Sequence, residues 1–382
     1  MFKKYNEELI SLRREFHKIP ELGYKEFKTK AKIIDYLKSI GIEDIKEISD
    51  TGVCATIYGN GEKTIGIRAD IDALPVKEET FLPFSSLHEG IMHACGHDGH
   101  IATALTVAKF FKENTHLLKG NLKLIFQPAE EGEGGAKMMI ENKVLENPNV
   151  DCMLSFHLWP DIETGKVDAS YGTTFASDTL IEIEIKGKGG HGAYPEKIKD
   201  VIYGGSEIII ALKKLSKDFN DKGIKNVLSM CSFDCVSTHN VFKDSAHLRG
   251  TLRMLDEQAE KEVSKAIRDT VKNILDSNNL NGIIDVNLNY IPLVNDDEVT
   301  SIVREVICDT LGEENLYELG SAMTAEDFAY FAKEVKSCHI KVGTKSEDCP
   351  YPLHNAKYTI NEDSLLIGLK VLANGIIKLL GE

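Results

Sequence analysis

The sequence has little of what would place a chain in a membrane, on nucleic acid or in a disulfide-braced scaffold. No run approaches the roughly 18 consecutive apolar residues of a membrane span. The first segment, MFKKYNEELISLRREF, is charged from its start and lacks the apolar core of a secretory signal. Positive charge is in deficit: 45 Lys and Arg against 60 Asp and Glu leave a net charge of −15. That balance disfavours partners that are nucleic acids or anionic membranes. The eight cysteines include no Cys-x-x-Cys pair, and without a secretory segment they read as reduced thiols of a cytoplasmic protein. What is present, 42% hydrophobic and 27% charged residues over 382 positions, is an ordinary globular balance with room for two or three domains.

Apolar spacing predicts helices through Leu9, Leu12 and Phe16, closed by Pro20, and through Phe27, Ala31, Ile34 and Leu37, closed by Gly41. β-like runs begin at Val53 and Thr64, with Gly59-Asn60-Gly61 as the turn between them. A helix from His97 through Phe110, a strand over 122–127, a helix over 136–145 and a strand over 152–156 continue the alternation of an α/β domain with a mainly parallel central sheet. Near residue 175 the character changes. Residues 180–187 alternate as a half-exposed antiparallel strand. A helix (201–215), strands (227–234 and 246–253), a helix (257–275) and a strand (284–290) complete a βαββαβ order. After Pro292 the helix-rich rhythm returns. The expected architecture is therefore an α/β domain, residues 1–174 and 292–382, interrupted by an inserted α+β domain, residues 175–291.

The densest chemistry lies in His93-Ala94-Cys95-Gly96-His97-Asp98-Gly99-His100, where soft and borderline ligand types crowd one short stretch. The alternative is a packed thiol beside histidines that cap the next helix. Gln127-Pro128-Ala129-Glu130-Glu131-Gly132 follows a strand, where open α/β sheets bind ligands. One such carboxylate can hold a metal while its neighbour takes a proton from water; otherwise the loop is simply acidic. Asp70 and Asp72, spaced i, i+2 at another strand end, would face the same crevice, or Asp72 satisfies turn amides. His157 ends an apolar strand and His354 lies in LHNAKY; singly, either is more often structural. Jointly, Cys95, His97, Glu131, His157 and His354 all fall at strand ends or loops of the interrupted domain. Five ligands exceed one closed tetrahedral zinc site and suit two metals sharing a water. Gly187-Lys188-Gly189-Gly190-His191-Gly192 fits a dinucleotide fingerprint, but the alternating strand before it and the residues after it, Ala193-Tyr194-Pro195-Glu196, argue against one.

RREFHKIPELGYKE, RADIDALPVKEET, HACGHDGH, QPAEEGEGGAKMMIE, FHLWP, GKGGHGAYPE and HNAKYTI together resemble the amidohydrolase branch of the aminoacylase/carboxypeptidase metallopeptidase family. That branch includes hippurate hydrolases, indole-acetyl-amino-acid hydrolases and N-acetyldiaminopimelate deacetylases. The resemblance implies a di-metal peptidase-like fold with a lid that mediates dimerisation, giving a homodimer or higher homo-oligomer. It implies two divalent cations (zinc, manganese, nickel or cobalt) on Cys95, His97, Glu131, His157 and His354. By the same resemblance, Glu130 is the general base and Asp70 a catalytic acid near the metals. His191 reaches the reacting carbonyl, in its own or the neighbouring subunit's site, and Asn240 assists it. Around Asn240 the chain departs from the pattern: Ser237-Thr238-His239 precede it and Phe242-Lys243-Asp244 follow, where the family usually has small residues and a proline. Arg249 or Arg253 would bind a substrate carboxylate, or either is a strand-surface charge.

The implied activity is hydrolysis of an N-acyl amino acid by water that the cations activate and Glu130 deprotonates. Glu130 then returns the proton to the leaving amine. The alternatives are an N-acetyldiaminopimelate deacetylase of lysine biosynthesis, or a non-catalytic binding protein on the same fold.

Overall fold

Gly52–Ile57, Thr64–Asp70 and Asn121–Gln127 are strands buried along their whole length, as strands covered on both faces must be. They belong to a computed structural model that describes residues 1–132 and 134–381. Glu133, inside the QPAEEGEGG stretch, lies outside the described residues. The chain divides into two units. One comprises Met1–Gly172, Val294–Gly320 and Asp327–Glu382; the other comprises Thr173–Leu293 and Ser321–Glu326.

The first unit is built on a sheet whose strands run in the order Ile45–Ile48, Gly52–Ile57, Asn121–Gln127, Thr64–Asp70, Cys152–Glu163, Lys336–Lys345, Val167–Asp168 and Leu316–Tyr317. The four strands from Asn121–Gln127 to Lys336–Lys345 are mutually parallel, and antiparallel pairs flank them. The sheet is thus mixed and parallel at its centre, an α/β arrangement of the expected class. Lys336–Lys345 is a strand the sequence reading did not assign. Its alternation, Cys338, Ile340 and Val342, is carried between His339 and Lys341, polar residues that read as surface. Both are buried, and Lys341 is accommodated by an ion pair with Asp168 at 3.2 Å.

Helix Asp363–Gly381 is long and apolar enough to cross a membrane by length and composition, but most of it is buried inside the unit. Leu365, Leu369, Leu372 and Ile376 join the core with Leu105 and Phe110 of helix His97–Glu113.

A buried ion cluster fixes the start of helix His97–Glu113. Asp98, fully buried, takes Arg13 Nε at 2.8 Å and His17 Nδ1 at 2.8 Å on one oxygen. Burial alone would raise the Asp98 carboxyl, but Arg13 and His17 hold it well below the usual range. Glu78 lies 3.3 Å from His17 Nε2 and is held at about 2: burial raises it, and His17, with hydrogen bonds from Thr80 and the Ser86 amide, more than offsets that. Both carboxylates have depressed folded-state values, so their contribution is complete above roughly pH 4.5 and is lost as the pH falls toward 2. Asp98→Asn removes the closest counter-charge of Arg13 and His17, leaving them Glu362 and Glu78 at 3.3 Å, and should cost about 3–5 kcal/mol of unfolding free energy at pH 7, read by urea denaturation. A loss below about 1 kcal/mol would mark the cluster as dispensable.

The second unit is a four-stranded antiparallel sheet in the order Asn226–Asp234, Ser245–Met254, Asp178–Lys186, Asn281–Tyr290. Helices Val201–Asp221 and Glu257–Ser277 share its core through Ile181, Ile183, Ile208, Leu212, Ile267 and Val271. This is the βαββαβ order read from the sequence. Asp178–Lys186 alternates buried and exposed residues and has antiparallel neighbours on both sides, the opposite of a dinucleotide-binding strand. Ser321–Glu326 belongs here and not with the returning first domain, because the Ala176 amide donates to the Ala322 and Thr324 carbonyls at 3.1 and 2.9 Å.

Candidate metal centre

Cys95 lies just before helix His97–Glu113, whose N-cap residue Gly96 has φ +85°. Glycine takes that left-handed conformation without strain, and an added Cβ there would sit 3.1 Å from the Tyr358 hydroxyl. Glu130 and Glu131 follow the end of strand Asn121–Gln127, and His157 lies within strand Cys152–Glu163. His354 is in a loop with φ +64°, tied to the cysteine segment by its own N–H, which donates to the Ala94 carbonyl at 2.9 Å.

These segments bring all five candidate ligands together. Ligand atoms of Cys95, His97 and His157 lie within 4.8 Å of one another, as do those of Cys95, Glu131 and His354, and those of His97, Glu130 and Glu131. Cys95 Sγ is 3.4 Å from His157 Nε2, and His354 Nε2 is 3.2 Å from Glu131 Oε1. Cys95, His97, His157 and Glu130 are buried, while the His354 side chain is about half exposed, at 53%.

The histidines are oriented by carbonyls. His97 Nδ1 donates to the Asp72 carbonyl at 3.0 Å and His157 Nδ1 to the Leu158 carbonyl at 2.7 Å. A carbonyl oxygen can only accept, so each bond puts the ring proton on Nδ1 and makes Nε2 the acceptor nitrogen, the atom a cation would take. His97 Nε2 is buried with no hydrogen-bond partner among the described residues. Burial works against charge on this ring, but Asp70, Asp72 and Glu131 outweigh it and push His97 up to about 10. The surroundings therefore demand positive charge at that nitrogen. Burial also pushes the Cys95 thiol well above its ordinary value, with Glu131 and Glu130 adding to it. A cluster of this sign is balanced only when cations bind the thiolate and imidazoles. A metal pair fits the donors present.

The other members of the HACGHDGH stretch have different work. His93 is buried with neither ring nitrogen bonded among the described residues, and burial lowers it to about 3, so it is neutral. His100 Nε2 accepts the Leu158 amide at 3.0 Å, which places its proton on Nδ1, donating to Asp70 Oδ1 at 2.5 Å. Both its nitrogens are thus used, and it orients the strand end that carries His157. Asp70 also takes Arg68 Nη1 at 2.6 Å and lies 3.8 Å from His97 Nε2. Burial opposes its ionisation, but His100, His97 and Arg68 hold it well below the usual carboxylate range. Asp72 is nearer the candidate ligands: Oδ2 accepts the Glu131 amide at 2.9 Å and Oδ1 lies 3.3 Å from His97 Nδ1.

Sequence reasoning missed Asp327. It accepts from Arg68 Nη2 at 2.7 Å, from Gln127 Nε2 at 2.7 and 2.9 Å, and from the Ala136 amide at 2.9 Å. Nothing local marks this role, because its partners are 191 to 259 residues away. Arg13 and Glu26 lie in the RREFHKIPELGYKE stretch, but their contacts are equally long-range.

In the second unit, His191 and Asn240 come side by side. His191 pairs with Val241 across a short ladder, and the Gly192 amide donates to the Asn240 carbonyl at 2.8 Å. His191 is exposed, and its Nδ1 accepts the Ala193 amide at 3.1 Å, leaving Nε2 as the donor of the neutral ring. Arg249 is exposed opposite Glu182, at 3.5 Å, and Arg253 pairs with Asp178 at 3.0 Å.

Residues 66–378 match the model of peptidase family M20/M25/M40, and the chain belongs to that family. It is 35% identical over 369 residues to an N-acetyldiaminopimelate deacetylase of Geobacillus sp. (strain WCH70), covering 96% of both chains. It is 37% identical over 362 residues to a hippurate hydrolase of Campylobacter jejuni, covering 94% of this chain and 93% of the other. The crystal structure of Bacillus subtilis YXEP, a dinuclear metal-binding peptidase of the M20 family, matches with a TM-score of 0.86 at 30% identity over 99% of each chain.

Proposed function

We propose that the protein is a metal-dependent amidohydrolase that cleaves the amide bond of N-acyl amino acids, with Glu130 as the proton-transfer residue. The observation that carries this reading is the convergence of Cys95, His97, Glu131, His157 and His354 beside a second, buried carboxylate, with His97 Nε2 left without a hydrogen-bond partner among the described residues. Two divalent cations on these five residues would supply Lewis acidity, polarising the amide carbonyl and acidifying water. Mixed thiolate, imidazole and carboxylate donors suit zinc, manganese, nickel or cobalt.

The remaining steps belong to the chain's own groups. Glu130 takes a proton from the attacking water on a carboxylate oxygen and returns it to the leaving amine nitrogen. Asp70 keeps a fixed negative charge beside His97. His191, of this or a neighbouring subunit, donates a hydrogen bond from Nε2 to the carbonyl oxygen as charge develops there. Asn240, just before the ladder strand that pairs with His191, supports it. Arg249 binds the substrate carboxylate; its contact with Glu182 is long and exposed, so little is lost when substrate displaces it.

The named relatives favour two substrates in particular. N-acetyldiaminopimelate follows from the deacetylase relatives and hippurate from the hippurate hydrolase. Residues 175–291 act as lid and dimerisation domain in this reading. Ile202, Tyr203 and Ile210 on helix Val201–Asp221, and Val227 on the edge strand, are exposed apolar side chains that support a homodimer. Eight unpaired cysteines support a cytoplasmic location.

The test is a hydrolysis screen of N-acetyl, N-benzoyl and N-(indole-acetyl) amino acids and N-acetyldiaminopimelate, each with zinc, manganese, nickel or cobalt. Metal-dependent release of free amine from at least one substrate is expected. Silence across the whole panel with metal bound would favour a binding protein on the same fold.

A further inference from the structure

Glu26 is a fully buried carboxylate that the chemistry above does not use. It stands at the N-cap of helix Phe27–Ser39, where a polar side chain ordinarily accepts from first-turn amides, yet it makes no capping bond. Glu21 does so instead, accepting the Lys28 and Thr29 amides, each at 2.9 Å. The Glu26 carboxylate reaches a different segment: Oε1 accepts the Ala129 N–H at 2.9 Å, one residue before Glu130.

Ala129 is itself unusual. It is buried and has φ +54°, a left-handed conformation that alanine disfavours. Its carbonyl accepts the Gly135 amide at 3.1 Å, and Gly135 packs so close that an added Cβ would lie 1.8 Å from the Pro128 oxygen. On the other side of Glu130, Asp72 accepts the Glu131 amide at 2.9 Å. Buried carboxylates from distant segments therefore hold the backbone on both sides of Glu130.

We propose that Glu26 is a positioning residue for Glu130: its acceptor bond to the Ala129 amide keeps loop 128–132 in the left-handed turn that sets the direction of the Glu130 side chain. This inference rests on the assignment of proton transfer to Glu130. Burial, with Asp72 nearby, pushes Glu26 up to about 7. What the loop takes from the group is an acceptor atom, the Oε1 that receives the Ala129 amide.

The experiment compares Glu26→Ala, Glu26→Gln and Glu130→Gln in the metal-loaded full chain, using the fastest substrate of the screen. Glu26→Ala should lower kcat about 10–100-fold, with KM, bound metal and circular dichroism unchanged within about twofold. Glu26→Gln keeps an Oε1 acceptor and should restore kcat to within about threefold of the parent. The inference is overturned by full activity of Glu26→Ala, or by a glutamine variant as deficient as the alanine variant. Should the alanine variant not fold, Glu26→Asp carries the test, because its carboxylate is one methylene short of Ala129: reduced kcat supports the inference and parental kcat overturns it. An active Glu130→Gln would instead remove the assignment of Glu130, whereas an inactive Glu130→Gln beside a fully active Glu26→Ala would remove Glu26 alone.

Discussion

Glu130→Gln is expected to fold and bind metal like the parent and to lose about 10²–10⁴-fold in kcat. The side chain is buried at 7% exposure, so an isosteric amide preserves the packing of the loop. Its backbone neighbours are held independently, at Ala129 by Glu26 and at Glu131 by Asp72. What the amide cannot do is take up and release a proton. Glu130 also stands within 4.8 Å of ligand atoms of His97 and Glu131, so the measurement has to report metal content alongside turnover. Parental activity at matched metal content would remove Glu130 from proton transfer.

Cys95→Ala should lower bound metal from about two ions to about one per chain, measured by elemental analysis after dialysis. Cys95 is common to two of the ligand groups, one completed by His97 and His157 and the other by Glu131 and His354. Its loss therefore removes a donor from both of these groups. A buried thiol with no cation to bind is held protonated by desolvation and by Glu131 and Glu130, so its value to the site depends on metal. Activity should fall in step with metal content. Unchanged stoichiometry would return Cys95 to the role of a packed thiol.

Much of the molecule was legible in its sequence where local rules suffice. Helix Phe27–Ser39 and its glycine stop at Gly41, φ +78°, follow from apolar spacing and turn chemistry. The alternation of Asp178–Lys186 announced an antiparallel insert with one wet face. Lys336–Lys345 escaped because a buried lysine in a central strand is tolerable only with Asp168 beside it, and that partner is 173 residues away. In the candidate site, residue types and strand-end placement marked out Cys95, His97, Glu131, His157 and His354 as a set. What the stretch does not carry is the physical difference between the two histidines: His97 Nε2 has no hydrogen-bond partner among the described residues, whereas His100 Nε2 accepts a backbone amide.

The sequence by itself determined most of the helices and strands and the inventory of metal-ligating and acidic side chains, because periodicity, turn residues and donor chemistry are properties of neighbouring positions. Only the tertiary structure decided which nitrogen of each histidine is left open, that Asp327 and Arg68 brace Gln127, and that Glu26 turns away from its own helix to grip Ala129. Apart from the His157–Leu158 bond, which is local, those are hydrogen bonds between segments far apart in the chain, and their acceptors and donors acquire partners only once packing brings the segments together.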